Sequence, residues 1–192
     1  MAETPSQTAL RERLRAVGME LFRREGLRFT MQEAAHAIHI SKKTIYAVYP
    51  SKEALLLDMV DDAFAQIHAR KQAILDGPGT LTDKLRAVII ALPEEYTALD
   101  LQQMDLLDEK YPRVAARVRQ HLETGWEPTL ALLQQAMEQG VIRTVSLPVL
   151  QRMISASIES FLADRTLEQQ GIPYARALDE MMGILLDGLL IR

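Results

Sequence analysis

The sequence predicts an all-α fold, and three observations carry that expectation. Apolar residues return at three- and four-residue steps over most of the chain, the period of a helix with one buried face. No stretch alternates apolar and polar positions with β-branched residues over a strand's length. Aromatic residues make up 5% of the chain, where strands would recruit more. The 192 residues suffice for one large domain or two small ones. The pattern divides them into a small N-terminal unit of three helices over residues 1–50 and a larger helical body over 51–192, about nine helices in all.

The first helix is expected from Ser6 to Glu25, with Leu10, Leu14, Val17 and Leu21 in one stripe and Phe22 beside it. Gly26 follows as a residue able to take positive φ. Thr30 caps a short second helix, with Glu33 placed to complete a capping box. Met31, Ala34, Ala35 and Ile38 face inward, and a tight break falls at His39-Ile40. Ser41 caps a third helix, Lys42 to Tyr49, which Pro50 ends. Ser51 caps a long fourth helix reaching about Leu75, with Glu53 suited to the positive end of its dipole. Asp76-Gly77-Pro78-Gly79 is the clearest loop. Further helices are expected at 81–92, 95–108, 111–139, 147–170 and 173–191, with Pro128 kinking or dividing the third of these. Gly140 and Gly171 close helices.

Composition removes several function classes. The chain has no cysteine, so disulfides, thiolate metal sites and Cys nucleophiles are excluded. The longest apolar run, Ala87 to Leu92, is far short of the roughly 20 residues a spanning helix needs. The N-terminal residues lack the apolar core of a secretory signal, so the expected location is the cytoplasm, with no membrane partner. There is no Gly-rich phosphate loop, GxSxG or HExxH, so an enzyme is not expected, nor any cofactor. Asp105, Asp108 and Glu109 read as a solvated face. His36 and His39 are three apart but lack a third ligand, so no metal is expected.

Charge is unevenly spread. Residues 1–52 hold nine Lys and Arg against five acids; the rest of the chain holds 13 against 21. A basic quarter on an acidic body suits a nucleic-acid-binding module joined to something else. Residues 30–49 supply such a module, since helix, tight turn, helix is the spacing of a helix-turn-helix. The second of these helices anchors itself through Ile45 and Val48 and leaves Lys42, Lys43, Thr44 and Tyr46 free. Its N-terminal residues can then reach base edges in the major groove, while the lysines neutralise phosphates. No acid occurs between Glu33 and Glu53 to oppose them. The competing reading is a helical interaction module that binds a protein and not DNA.

The string SKKTIYAVYPSKEALL, preceded by FTMQEAAHAIHI, resembles the DNA-binding region of the TetR family of bacterial transcriptional regulators. The resemblance is dense over residues 9–60 and architectural beyond. It implies that Thr30 and Gln32 touch phosphate, and that Ser41, Lys42, Lys43 and Thr44 open a recognition helix. It gives Tyr46 and Tyr49 roles in phosphate contact or helix packing, and makes Lys52 a phosphate-binding lysine. The family usually has Gly where this chain has His39, and often a small residue in place of Lys43.

The last two helices are apolar on several sides, which demands burial on several sides. The resemblance implies a two-fold four-helix interface there, through Met153, Ile154, Ser157, Ile158, Met181, Ile184, Leu185, Gly188 and Leu189. The middle helices would then form an effector pocket, with Phe64, Ile67, His68, Met104, Leu107, His121, Trp126, Leu130 and Phe161 as candidate lining. The expectation is a homodimeric repressor, released from a palindromic double-stranded DNA operator by a small-molecule effector.

Overall fold

The computed structural model of the protein describes residues 5–89, 104–163 and 166–191. Among these residues the secondary structure is helical, apart from an isolated antiparallel bridge between Ile142 and Leu190. The helices are α1 (Pro5–Glu25), α2 (Met31–Ala37), α3 (Lys42–Val48), α4 (Lys52–Asp76), α5 (Leu81–Ile89), α6 (Met104–Lys110), α7 (Pro112–Glu123), α8 (Glu127–Glu138), α9 (Leu147–Ala163), α10 (Thr166–Gln169) and α11 (Tyr174–Leu189). A short 3-10 turn, Gly26–Arg28, follows α1. Only the end of the helix expected at 95–108 falls within the described residues, as α6. The last residues of the helix expected at 81–92 lie outside them.

The helix expected over 111–139 is divided, and not at its proline. The break falls at residues 124–126, where Gly125 has φ of +73°. Pro128 sits in the first turn of α8, where its missing N–H costs nothing. The Trp126 indole donates to the carbonyl of Leu122 at 2.9 Å and so satisfies one orphan at the end of α7.

The chain forms two compact units, one of residues 1–63 and 98–118, the other of 64–97 and 119–192. The core of the first gathers Leu14 and Leu21 of α1, Phe29, Met31 and Ala34 around α2, Ile45 and Tyr49 of the third-helix segment, and Leu55, Leu56 and Met59 of α4. Leu107, Val114 and Ala115 complete it. Gly18 lets α1 and α4 approach closely, since a Cβ there would stand 2.9 Å from Met59 Sδ.

The second unit is built on Leu85, Val88, Trp126, Leu132, Leu133, Ile142, Leu150, Ile154, Met182, Leu186 and Leu189. The Ile142–Leu190 bridge closes it: Arg143 N–H donates to Leu189 at 2.8 Å and Ile191 N–H to Val141 at 3.2 Å. No periodicity in the sequence announces this bridge. Among the described residues, no helix is long and apolar enough to cross a membrane.

Candidate nucleic-acid interface

The site begins with the two caps that fix α2 and α3. Thr30 and Glu33 form the capping box read from the sequence. Glu33 N–H donates to Thr30 Oγ1 at 3.2 Å, and Thr30 N–H donates to Glu33 Oε2 at 2.7 Å. The Thr30 hydroxyl also donates to that carboxylate, at 2.8 Å. These bonds hold the Glu33 carboxyl below its ordinary pKa, the hydroxyl's bond being the largest cause and the backbone N–H next. Ser41 caps α3 in the same manner, accepting from Thr44 N–H at 3.1 Å.

Between them lies the turn. His39 has φ of +58°, the one non-glycine residue in the left-handed region among those described. Its N–H donates to His36 O and the next, of Ile40, to Ala35 O, both at 3.0 Å. That pair of bonds is a Schellman cap, and its left-handed position is one that glycine usually fills. His39 holds it under steric strain. Its ring lies 6.4 Å from that of His36, and among the described residues no cluster of three or more His, Asp and Glu forms a metal site.

α3 is anchored by Ile45, which is fully buried, with Val48 half-buried beside it. This leaves Lys42, Lys43 and Tyr46 exposed along one face, with Lys42 Nζ 5.9 Å from the Tyr46 ring centre. Gln32 is exposed one helix earlier. The hydroxyls of Ser41 and Thr44 share a 2.8 Å hydrogen bond, and Thr44 is half-buried. A cleft of about 720 Å³ lies against this region, bordered by Arg24, Thr30, Gln32, Glu33, His36 and Lys42.

Two residues with suggested phosphate roles are engaged by their own chain. The Tyr49 side chain is buried and its hydroxyl donates to the Asp58 carboxylate. Burial first, then that hydrogen bond, pushes its pKa well above the usual phenol value. Of the two roles the resemblance implied for Tyr49, the geometry fits packing. The Lys52 ammonium donates to the carbonyls of Leu27 and Phe29, at 2.6 Å for the first, and lies 4.1 Å from the Phe29 ring centre. Burial lowers its pKa, and Lys110 adds to the effect against the pull of Glu33. Lys52 thus ties the start of α4 to the α1–α2 junction.

The sequence reading also missed how the basic quarter is used. Arg11 and Arg15 of α1 face Asp58 and Asp62 of α4: Arg11–Asp58 and Arg15–Asp58 are 3.6 Å apart and Arg15–Asp62 3.2 Å. Arg117 pairs with Asp61 at 2.8 Å, and Arg113 with Glu53 at 3.4 Å. Some of the N-terminal positive charge is therefore neutralised by acids just past residue 52. The signal was present, because Arg11/Arg15, Asp58/Asp62 and Arg113/Arg117 are all i,i+4 pairs.

Bacterial regulatory proteins of the tetR family provide a sequence model that matches residues 14–59, the stretch from α1 to α4 that builds this site. Residues 14–59 thus form a DNA-binding region of the tetR type. The chain is 26% identical over 182 residues to the HTH-type transcriptional regulator YvaF of Bacillus subtilis strain 168, covering 93% of this chain and 94% of that one. The crystal structure of Thermus thermophilus FadR, a TetR-family repressor in complex with lauroyl-CoA, is similar at 29% identity and a TM-score of 0.61, over 95% of this chain and 96% of that one. A TetR-family regulator from Cytophaga hutchinsonii shares the fold at a TM-score of 0.73 over the whole of both chains, with 13% identity. The chain is a DNA-binding transcriptional regulator.

The other expected sites sort by unit. Within the second, Phe64 stacks on His121 at 4.5 Å between ring centres. Ile67, His68, Leu130 and Phe161 are half-buried and Trp126 is buried. Leu107 belongs instead to the core of the first unit, and the Met104 side chain lies outside the described residues. Of the expected interface residues, Ile154 and Leu189 turn into the core of their own chain. Met153, Ile184 and Gly188 are exposed, with Ser157, Ile158, Met181 and Leu185 half-buried.

Proposed function

We propose that this regulator is a homodimeric repressor. It binds a two-fold-symmetric operator through the exposed face of α3 and is released by a small-molecule effector held in the second unit. The carrying observation is α3 itself: one buried anchor, Ile45, and an outer face of Lys42, Lys43 and Tyr46, with no acid in the sequence between Glu33 and Glu53. Lys42 and Lys43 make the phosphate or base contacts, and Gln32 adds a contact from α2. One seven-residue helix reads few bases, so two copies about 34 Å apart, or a multiple, are needed for specificity.

The outward faces of α9 and α11 support the dimer. Val149 and Met153 are 57% and 51% exposed, and Ile184 and Ile191 are 74% and 56% exposed. Ile184 and Gly188 stand four apart on one stripe of α11, with Ile191 just past its end, and Gly188 has open space where a Cβ would stand. The effector reading is supported by the Thermus thermophilus relative, a repressor that binds lauroyl-CoA. Effector binding shifts the population toward a state with unsuitable helix spacing; a coupling of about 1–3 kcal/mol changes operator affinity some 5–150-fold. α4 runs unbroken from Lys52 to Asp76 and carries the change.

The test is operator binding by the Lys42→Ala/Lys43→Ala variant across a salt series. Affinity should fall, and the slope of log K against log salt should flatten by about 0.9 for each phosphate that is no longer neutralised. An unchanged slope and affinity would remove α3 from the interface.

A further inference from the structure

We propose that the second unit recognises an anionic amphiphile, its acid group held by Lys71 with His68 and its aliphatic part laid along Phe64 and Trp126. The inference rests on the effector-binding reading above and assigns that effector a chemical class. Phe64, His68 and Lys71 stand at i, i+4 and i+7 on α4, so they form one stripe. Opposite that stripe stand His121 of α7 and Gly125 and Trp126 of the α7–α8 break. His121 stacks on Phe64 with the rings within 10° of parallel. The His68 imidazole packs on the backbone of Gly125, so tightly that a Cβ there would lie 2.2 Å from its Cε1. Lys71 Nζ sits 5.6 Å from the centre of the Trp126 ring.

The charge balance at this place is one-sided. The half-buried Lys71 has no carboxylate partner among the described residues, and the ionisable group next to it on the stripe is the His68 imidazole. Among the described residues Glu127, exposed at the start of α8, is the one acid that acts on His68. Burial lowers the pKa of both Lys71 and His68, and for His68 the neighbouring Lys71 and His121 lower it further. A cation desolvated on an aromatic face without a counter-ion leaves electrostatic energy that an anion would recover. A second polar group also lacks a partner: Thr129, three residues beyond Trp126 in the first turn of α8, is 1% exposed and its hydroxyl has no hydrogen-bond partner among the described residues. Buried hydroxyls are ordinarily satisfied. An acidic head group with an apolar body meets both needs, whereas a cationic or wholly apolar ligand meets neither.

Trp126 is the only tryptophan of the chain, so its emission reports on this site directly. The full chain is titrated with laurate and with lauroyl-CoA, and with 1-dodecanol and dodecyltrimethylammonium as neutral and cationic chains of equal length. Saturable emission changes are expected with the anions, at affinities roughly 10–100-fold above those of the two controls. Lys71→Met should lower affinity for the anions by a similar factor and leave dodecanol unchanged; should that variant not fold, the ligand panel on the natural chain decides. A response to laurate identifies a simple carboxylate, and a response to lauroyl-CoA alone identifies a phosphorylated carrier. Equal affinity for all head groups, or no saturable response to either anion, overturns the proposal. If an anion binds here while the operator complex stays intact, the site stands and the release reading fails. If another compound releases the operator while neither anion binds, the release reading stands and the anion site fails.

Discussion

Removing one oxygen atom separates the two roles open to Tyr49. Tyr49→Phe leaves the buried ring in place and deletes the hydroxyl that donates to Asp58. A hydrogen bond to a charged group contributes about 1.5–3 kcal/mol. The loss here falls at the lower end, because Asp58 keeps Arg11 and Arg15, each at 3.6 Å, and is left neither buried nor unpaired. A destabilisation of about 1–2 kcal/mol lowers Tm by roughly 2–8 °C for a chain of this size. Tyr49→Ala instead removes a ring from the core and should cost about 3–5 kcal/mol. Thermal unfolding and operator titration of the same samples, well below the transition, test this. Tyr49→Phe should lose stability and keep operator affinity within a few-fold. The opposite pattern, full stability with lost DNA binding, would mean that the hydroxyl serves DNA, and the assignment of Tyr49 to packing would fail.

Three other perturbations probe separate parts of the account. His39→Gly relieves the left-handed strain, typically about 1–2 kcal/mol, against the roughly 0.5–1 kcal/mol of unfolded-state freedom that glycine adds, so urea unfolding should show unchanged or slightly higher stability; a clear loss would show that the imidazole's own interactions outweigh the strain. The folded Glu33 pKa lies below its unfolded value, so its charge stabilises above the ordinary glutamate range, and that contribution disappears as pH falls through the depressed value. Glu33→Gln should therefore lower the urea midpoint at neutral pH and converge on the natural chain as the pH falls below the depressed value, and a gap that persists in acid would contradict the sign. Ile184→Glu places a charge on the exposed stripe of α11 in both copies; losing about 1.5–3 kcal/mol per side chain should weaken a dimer by roughly 10²–10⁴-fold in sedimentation, and an unmoved association constant would put the interface elsewhere.

The helix-turn-helix was legible because local chemistry sets it. Thr30 with Glu33, Ser41 as a cap, and Ile45 as an inward anchor are short-range signals, and each appears in the structure where the residue types put it. His39 was readable for the same reason, since a Schellman cap needs a left-handed residue whatever its type. The long-range pairings were harder. The resemblance made Lys52 a phosphate-binding lysine at a helix start, but only the fold brings the Leu27 and Phe29 carbonyls within its reach. Ile154 and Leu189 share helices with exposed apolar residues, and periodicity alone does not say which apolar face meets its own chain and which a second copy. The division at Gly125 was marked by a glycine, but Pro128 drew the break toward itself, although a proline is harmless in a first turn. Lys71 was overlooked because a lysine on an amphipathic helix reads as solvated until its neighbours are known.

The central claim is that α3, presented twice, reads DNA. Selection from a randomised duplex pool at two salt concentrations tests it most directly. The account predicts enrichment of a two-fold-symmetric sequence, with affinity that falls steeply as salt rises. A folded protein that enriches no sequence, or that binds DNA without salt dependence, would contradict it.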